Sequence, residues 1–187
     1  MQIDYVVQYS RRKSLSIQVM ENGKLLVKAP LGFNKTMIQS FLKEKETWIQ
    51  NHITKQLEIN KNAEKLGSFT KREIEEIKNK AKKIIPLRVE YYARLWGFTY
   101  NKVFIKLQKT RWGSCSTAKN LNFNCLLVLM PAAVLDSVVV HELCHLRHMN
   151  HSKSFYNEVY KIFPDYDKCD KWLKANGKIY LKRAEKL

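Results

Sequence analysis

The chain has 187 residues, 45% of them hydrophobic and 27% charged, ordinary values for a globular protein of one domain or one domain with an appendage. No apolar run is long enough to span a bilayer, since the longest, residues 126–135, contains Pro131 and is followed by Asp136. Lys and Arg number 34 against 17 Asp and Glu, a net charge of +17 that attracts polyanions and makes nucleic-acid association an expectation, with plain solubility as its alternative.

In chain order, residues 5–29 are expected to be β structure. Leu15, Ile17 and Val19 alternate with Ser14, Ser16 and Gln18. Asn22-Gly23 then supplies a two-residue turn, and Leu25, Val27 and Ala29 resume the alternation, which predicts a hairpin. Pro30-Leu31-Gly32 ends it. From Asn34 to about Leu66 the pattern is helical, with Ile38, Phe41, Leu42, Trp48, Ile49, Ile53 and Leu57 as the apolar stripe. After Gly67-Ser68 a second amphipathic helix is predicted over 70–96. Thr70 and Glu73 form its capping box, Pro86 should kink or divide it, and Gly97 closes it. Strands are expected over 103–107, 109–115 and 121–129, then a helix with Pro131 in its first turn. A last helix follows Pro164-Asp165-Tyr166 and carries Trp172, Leu173 and Tyr180. This is an α+β pattern: a hairpin-plus-helix segment, 1–66, packed on a catalytic core, 67–187, as one compact unit.

The chemistry is concentrated at 138–151. His141-Glu142-Leu143-Cys144-His145 has the H-E-x-x-H form, and positions i and i+4 of a helix lie on one face. Two imidazoles so placed can bind one Zn²⁺, and the Glu can polarise a water on the metal. Val138-Val139-Val140 leads straight into the motif, so the helix is buried, and buried polar groups need partners. A catalytic zinc takes three protein ligands and a water. His148 faces the same way as His141, but lies about 10 Å further along a continuous helix, too far for bonds of about 2 Å. His151 becomes the third ligand if the helix stops just before it. Asn150 is the expected site of that reversal, in the left-handed conformation, with Ser152 capping a new helix. The resulting spacing, H-E-x-x-H-x5-H, matches that of metzincin ligands, though His148 stands where their turn glycine would be.

The remaining residues add less. Cys115, Cys125, Cys144 and Cys169 show no C-x-x-C pairing, so reduced thiols and a cytoplasmic location are expected; no secretory leader is visible at the N-terminus. Cys144 lies off the ligand face and reads as packing, and His52 as a solvated side chain. Asp165, Asp167 and Glu158 are candidates to orient the ligand imidazoles. Oligomeric state leaves no trace in the sequence.

Thr-Arg-Trp-Gly-Ser-Cys-Ser at 110–116, with Val-His-Glu-Leu-Cys-His-Leu-Arg-His-Met-Asn-His-Ser-Lys-Ser-Phe at 140–155, resembles the YgjP-like family of zinc metallopeptidases. Pro-Asp-Tyr at 164–166 and Trp172-Leu173 fit the same pattern, and the likeness is densest from about 103 to 175. The resemblance implies a zincin-like fold, zinc held by His141, His145 and His151, and Glu142 as the catalytic acid/base. It also implies kinship with SprT-like proteases, some of which act on proteins attached to DNA. Zincins hold substrate as a strand added to a sheet edge, which points to Arg111, Gly113 and Ser114 as substrate-binding residues: Gly for close backbone approach, Ser for a hydroxyl, Arg for the developing oxyanion. Arg111 is equally readable as an exposed charge, and Trp112 as core.

The expected activity is therefore hydrolysis of peptide bonds by a zinc-activated water. Two rivals stand beside it. One is a nucleic-acid-associated protein, either a protease acting on DNA-bound proteins or a binding module with a structural zinc; the acid-free stretch 102–119, with Lys102, Lys106, Lys109, Arg111 and Lys119, favours it. The other is a zinc hydrolase of a different amide or ester.

Overall fold

The computed structural model describes residues 4–20 and 22–185. They form two compact units, Met1–Lys65 and Leu66–Leu187.

The first unit contains three strands, β1 (Tyr5–Ser10), β2 (Ser16–Val19) and β3 (Leu25–Pro30), in the order β1-β3-β2. β2 and β3 are the expected hairpin, antiparallel with Ile17 opposite Val27. Its loop is one residue longer than the two-residue turn: Met20 N donates to Lys24 O, Gly23 N donates to Met20 O, and Gly23 takes a φ of 78°. β1 runs parallel to β3, with Tyr5 opposite Leu25 and Val7 opposite Val27. One face of this sheet therefore carries Leu25, Val27 and Ala29, which pack with Ile38, Leu42 and Ile49. Those three come from two helices, α1 (Lys35–Glu44) and α2 (Glu46–Leu66), where one was expected. Lys45 alone leaves helical dihedrals, with φ −97° and ψ 11°. Neither glycine nor proline marks the break, so periodicity reads straight through it.

The second unit opens with α3 (Lys71–Trp96). Both halves of the capping box are made, Glu73 N donating to Thr70 Oγ1 and Thr70 N to Glu73 Oε2, and Gly97 ends the helix at φ 65°. Pro86 does not divide it. The carbonyl that Pro86 leaves unpaired belongs to Lys82, which is exposed, so water can satisfy it. A mixed sheet follows in the order β4-β6-β5: β4 (Val103–Lys106) is parallel and β5 (Gly113–Cys115) antiparallel to the central β6 (Leu121–Asn124).

Two expected strands are shorter than the sequence suggested. Residues 109–112 are loop, pinned by the buried Asn124, whose Nδ2 donates to Gln108 O at 2.8 Å and Arg111 O at 2.9 Å, and whose N–H donates to Trp112 O at 2.8 Å. The stretch Cys125–Leu129 is a 3₁₀ helix, started by Asn124 Oδ1 accepting from Leu126 N. A short, fully apolar run looks the same as a buried strand or a buried helix turn.

Three helices complete the unit: α4 (Ala132–Cys144), α5 (Lys153–Ile162) and α6 (Tyr166–Arg183). Pro131 precedes the first turn of α4, one position earlier than expected. α4 is buried along Val134–Val140 apart from the partner that Asp136 finds in α3, where Arg88 grips it with two hydrogen bonds of 2.7 Å. None of the helices among the described residues is long and apolar enough to cross a membrane.

Candidate active site

α4 stops at Cys144, well before Asn150. Leu146 N donates to Leu143 O, and the N–H groups of Arg147 and His148 both donate to Cys144 O, so the chain leaves the helix in a tight right-handed turn. Asn150 does not adopt the left-handed conformation; Lys119 is the only non-glycine residue with positive φ among the described residues. The turn is held from outside. Arg147 Nη2 donates to Trp96 O at 2.8 Å and Gly97 O at 3.1 Å, its guanidinium lies 4.1 Å from the Phe98 ring, and Nη1 pairs with Glu158. His148 Nε2 lies 2.9 Å from Glu158 Oε2 and is not part of the cluster formed by His141, His145 and His151. Ser152 caps α5 by accepting from Phe155 N.

This earlier stop brings three imidazoles together. His141 Nε2 lies 3.2 Å from His145 Nε2 and 3.1 Å from His151 Nε2. Ligands placed tetrahedrally at about 2.0–2.1 Å from one ion stand about 3.3 Å apart, so the three nitrogens are positioned to bind one zinc. Their tautomers agree with that use. His145 Nδ1 lies 2.9 Å from His148 O, a carbonyl that can only accept, so Nδ1 carries the proton and Nε2 keeps its lone pair. His141 Nδ1 lies 2.8 Å from the Tyr166 hydroxyl. Phe155, fully buried, touches all three rings, with centroids 4.9, 4.5 and 5.0 Å away. Burial, and then its two imidazole neighbours, lower the pKa of His141 to about 3, which keeps it neutral and able to ligate.

Glu142 is buried beside this cluster, and no donor among the described residues reaches its Oε2. Burial raises its pKa to about 8, against the pull of Arg111. Gly113 explains how the carboxylate fits. A Cβ on Gly113 would lie 2.5 Å from Glu142 Oε1 and 2.7 Å from its Cγ, so only glycine lets β5 approach this closely. Arg111 and Gly113 line both cavities that meet at His141 and Glu142, whereas Ser114 lines only the one shared with His145 and His151. Trp112 is half-buried against the core, where its ring fills the space that a side chain on Gly177 would need. Cys144 is buried and its thiol is pushed up to about 12 by burial, as suits packing and not ligation. His52, in the other unit, stacks on Trp48.

The family model of the YgjP-like metallopeptidase domain matches residues 13–74 and 58–176. The chain belongs to the YgjP-like family. As a YgjP-like protein with three histidines converging on one metal position, it is a zinc metallopeptidase, and a hydrolase of peptides or proteins. Solved structures similar to it include two metallopeptidase zymogens. The metallopeptidase zymogen abylysin of Pyrococcus abyssi is 20% identical with a TM-score of 0.46, the match covering 51% of this chain and 97% of that one. The zymogen jannalysin of Methanocaldococcus jannaschii is 24% identical with a TM-score of 0.44, over 49% of this chain and 94% of that one. Among curated proteins none matches.

Sequence reasoning missed the groups that orient the YgjP-like site. The carboxylates expected to do so are engaged elsewhere: Asp165 with Lys168, Asp167 with Tyr160, and Glu158 with Arg147 and His148. The phenol of Tyr166 and the backbone carbonyl of His148 stand against the imidazoles instead. A carbonyl leaves no mark in a sequence, and Tyr166 was visible only as part of Pro-Asp-Tyr, without a role.

Proposed function

We propose that His141, His145 and His151 hold a single catalytic zinc and that Glu142 is the general base and then the general acid of peptide-bond hydrolysis. The convergence of three Nε2 atoms beside a buried carboxylate, whose Oε2 has no hydrogen-bond partner among the described residues, carries this reading. Zinc in such a site supplies Lewis acidity, bringing the pKa of a water it holds toward about 7 and polarising a carbonyl. Glu142 takes the proton of the attacking water and returns it to the departing amine nitrogen, so its carboxyl ends as it began. Burial raises the Glu142 carboxyl to about 8 in the metal-free chain, and a zinc dication beside it would favour the ionised form that accepts the proton.

β5 lies at the edge of its sheet, so an extended substrate can add to it as a further strand. Gly113 brings that edge against Glu142, Ser114 offers a hydroxyl along the strand, and Arg111 places positive charge where the carbonyl oxygen becomes negative. Tyr166 and the His148 carbonyl fix the ring orientations of His141 and His145.

X-ray absorption at the zinc edge of loaded protein tests the ligand set. Three imidazole nitrogens and one oxygen are expected, and His151→Ala should lose one nitrogen. Four protein ligands, the pattern of a structural site, would speak for a binding module; only three ligand atoms gather among the described residues.

The net charge of +17 supports a second property, association with nucleic acid alongside proteolysis. Its mark is DNA or RNA affinity that falls steeply with salt. Free thiols at all four cysteines fit a cytoplasmic setting.

A further inference from the structure

We infer that the cavity on the Trp112 side of Glu142 accepts a basic side chain of the substrate, with Asp170 as the residue that selects it. The inference rests on the peptidase reading of the same site.

Two cavities, of about 240 and 260 Å³, meet at His141 and Glu142. The larger continues toward His145 and His151. The smaller leads the other way, between Trp112, Val138 and Leu173, to Asp170. A peptide crossing Glu142 thus has a cavity on each side of the bond to be cut. The smaller one falls below the roughly 300–1,000 Å³ that enclose drug-sized ligands, a size suited to one side chain.

Its chemistry is uneven in a way that reads as selective. Trp112, Val138 and Leu173 make apolar walls. The hydroxyls along it are already engaged, Ser137 Oγ donating to Val134 O at 2.8 Å and Tyr166 Oη lying 2.8 Å from His141 Nδ1. Asp170, one turn after Tyr166 on α6, supplies a carboxylate beyond these walls. Its partner Lys174, 2.5 Å from Oδ2, is 73% exposed, and an ion pair so open to water contributes little and can be exchanged.

A Lys or Arg side chain matches this cavity along its length, the aliphatic stem against the apolar walls and the cation at Asp170. An acidic side chain would meet the carboxylate of Asp170. A purely apolar one would cover Asp170 without replacing its water. Arg111 lines both cavities and therefore does not distinguish them.

The full chain loaded with zinc tests this with two readouts. Wild-type protein digests a peptide library and mass spectrometry locates the cuts. Separately, Glu142→Gln protein binds fluorescein-labelled peptides that differ only in carrying Lys, Met or Glu at one position. Lys and Arg should be enriched beside the cut, and the Lys peptide should bind about tenfold or more tighter than the Met peptide. Asp170→Asn should collapse that ratio toward one, and Asp170→Glu should keep it. An unchanged ratio in Asp170→Asn, or a preference for Glu, overturns the inference. So does cutting without a basic preference, which leaves the peptidase reading intact. Lys-selective binding with no cutting by the wild type supports the pocket and strikes the peptidase reading instead.

Discussion

Gly113→Ala adds a single methyl group where β5 presses closest against Glu142. That methyl would stand 2.5 Å from Glu142 Oε1, 2.7 Å from Cγ and 2.8 Å from Cδ. Carbon atoms pack best at about 3.5–4.0 Å, so the carboxylate or the strand must give way by about 1 Å. Glu142 is only 5% exposed, and the space open to it is the pair of cavities that a substrate would occupy. Overpacking of this kind costs about 1–3 kcal/mol of stability. The larger effect should fall on turnover, since a displacement of about 1 Å in a reacting group costs roughly 100-fold. The imidazoles lie outside the clash, so the variant should keep one zinc per chain. Stopped-time hydrolysis of a quenched fluorescent peptide, with metal analysis of the same sample, separates the two effects. Wild-type kcat/KM in a folded, zinc-loaded Gly113→Ala protein would refute the role given to the carboxylate's position.

Other consequences follow from neighbouring contacts. Tyr166→Phe removes the hydroxyl 2.8 Å from His141 Nδ1, and zinc affinity measured by competition with a chelator should fall about 10–100-fold. Arg147→Ala frees the turn from the Trp96 and Gly97 carbonyls, and urea unfolding should show a loss of about 1–3 kcal/mol. pH acts on the metal-free chain through two groups of opposite sign. His141, lowered from 6.5 to about 3, is protonated in the unfolded chain first, so stability drops as pH falls from about 6.5 toward 3. Glu142, raised from 4.5 to about 8, keeps in the folded chain a proton that the unfolded chain has released, so stability drops as pH rises from about 4.5 to 8. Each slope is about 1.4 kcal/mol per pH unit, and they oppose each other between 4.5 and 6.5. Glu142→Gln should remove the alkaline loss in urea titrations of metal-free protein; an unchanged decline from pH 6.5 to 8 would assign it to another group.

Much of this molecule is written in local pattern. The alternation through Ile17, Val19, Leu25 and Val27 specified the hairpin, and Thr70, Glu73 and Gly97 marked both ends of α3, because caps and turns depend on residues close in sequence. The i,i+4 spacing of His141 and His145 likewise put two imidazoles on one face. What escaped depends on distant partners. β1 pairs with β3 across the whole hairpin, a choice that no local signal records. The early end of α4 is set by Arg147 reaching residues fifty positions away, so Asn150, which looked like the natural breaker, is not used. The run Cys125–Leu129 is uniformly apolar and carries no period to separate strand from 3₁₀ helix. Asn124 is the quietest case. Its burial and three hydrogen bonds hold the loop that delivers Arg111 and Gly113, yet as a letter it reads as one more strand residue.

The most direct test compares zinc-loaded wild type with Glu142→Gln on the same peptides. Both proteins should carry one zinc per chain, and only the wild type should release cleaved product, the variant falling below it by a factor of about 100 or more. Glu142→Gln protein that binds zinc and cleaves at the wild-type rate would contradict the assignment of Glu142 as the group that moves the proton.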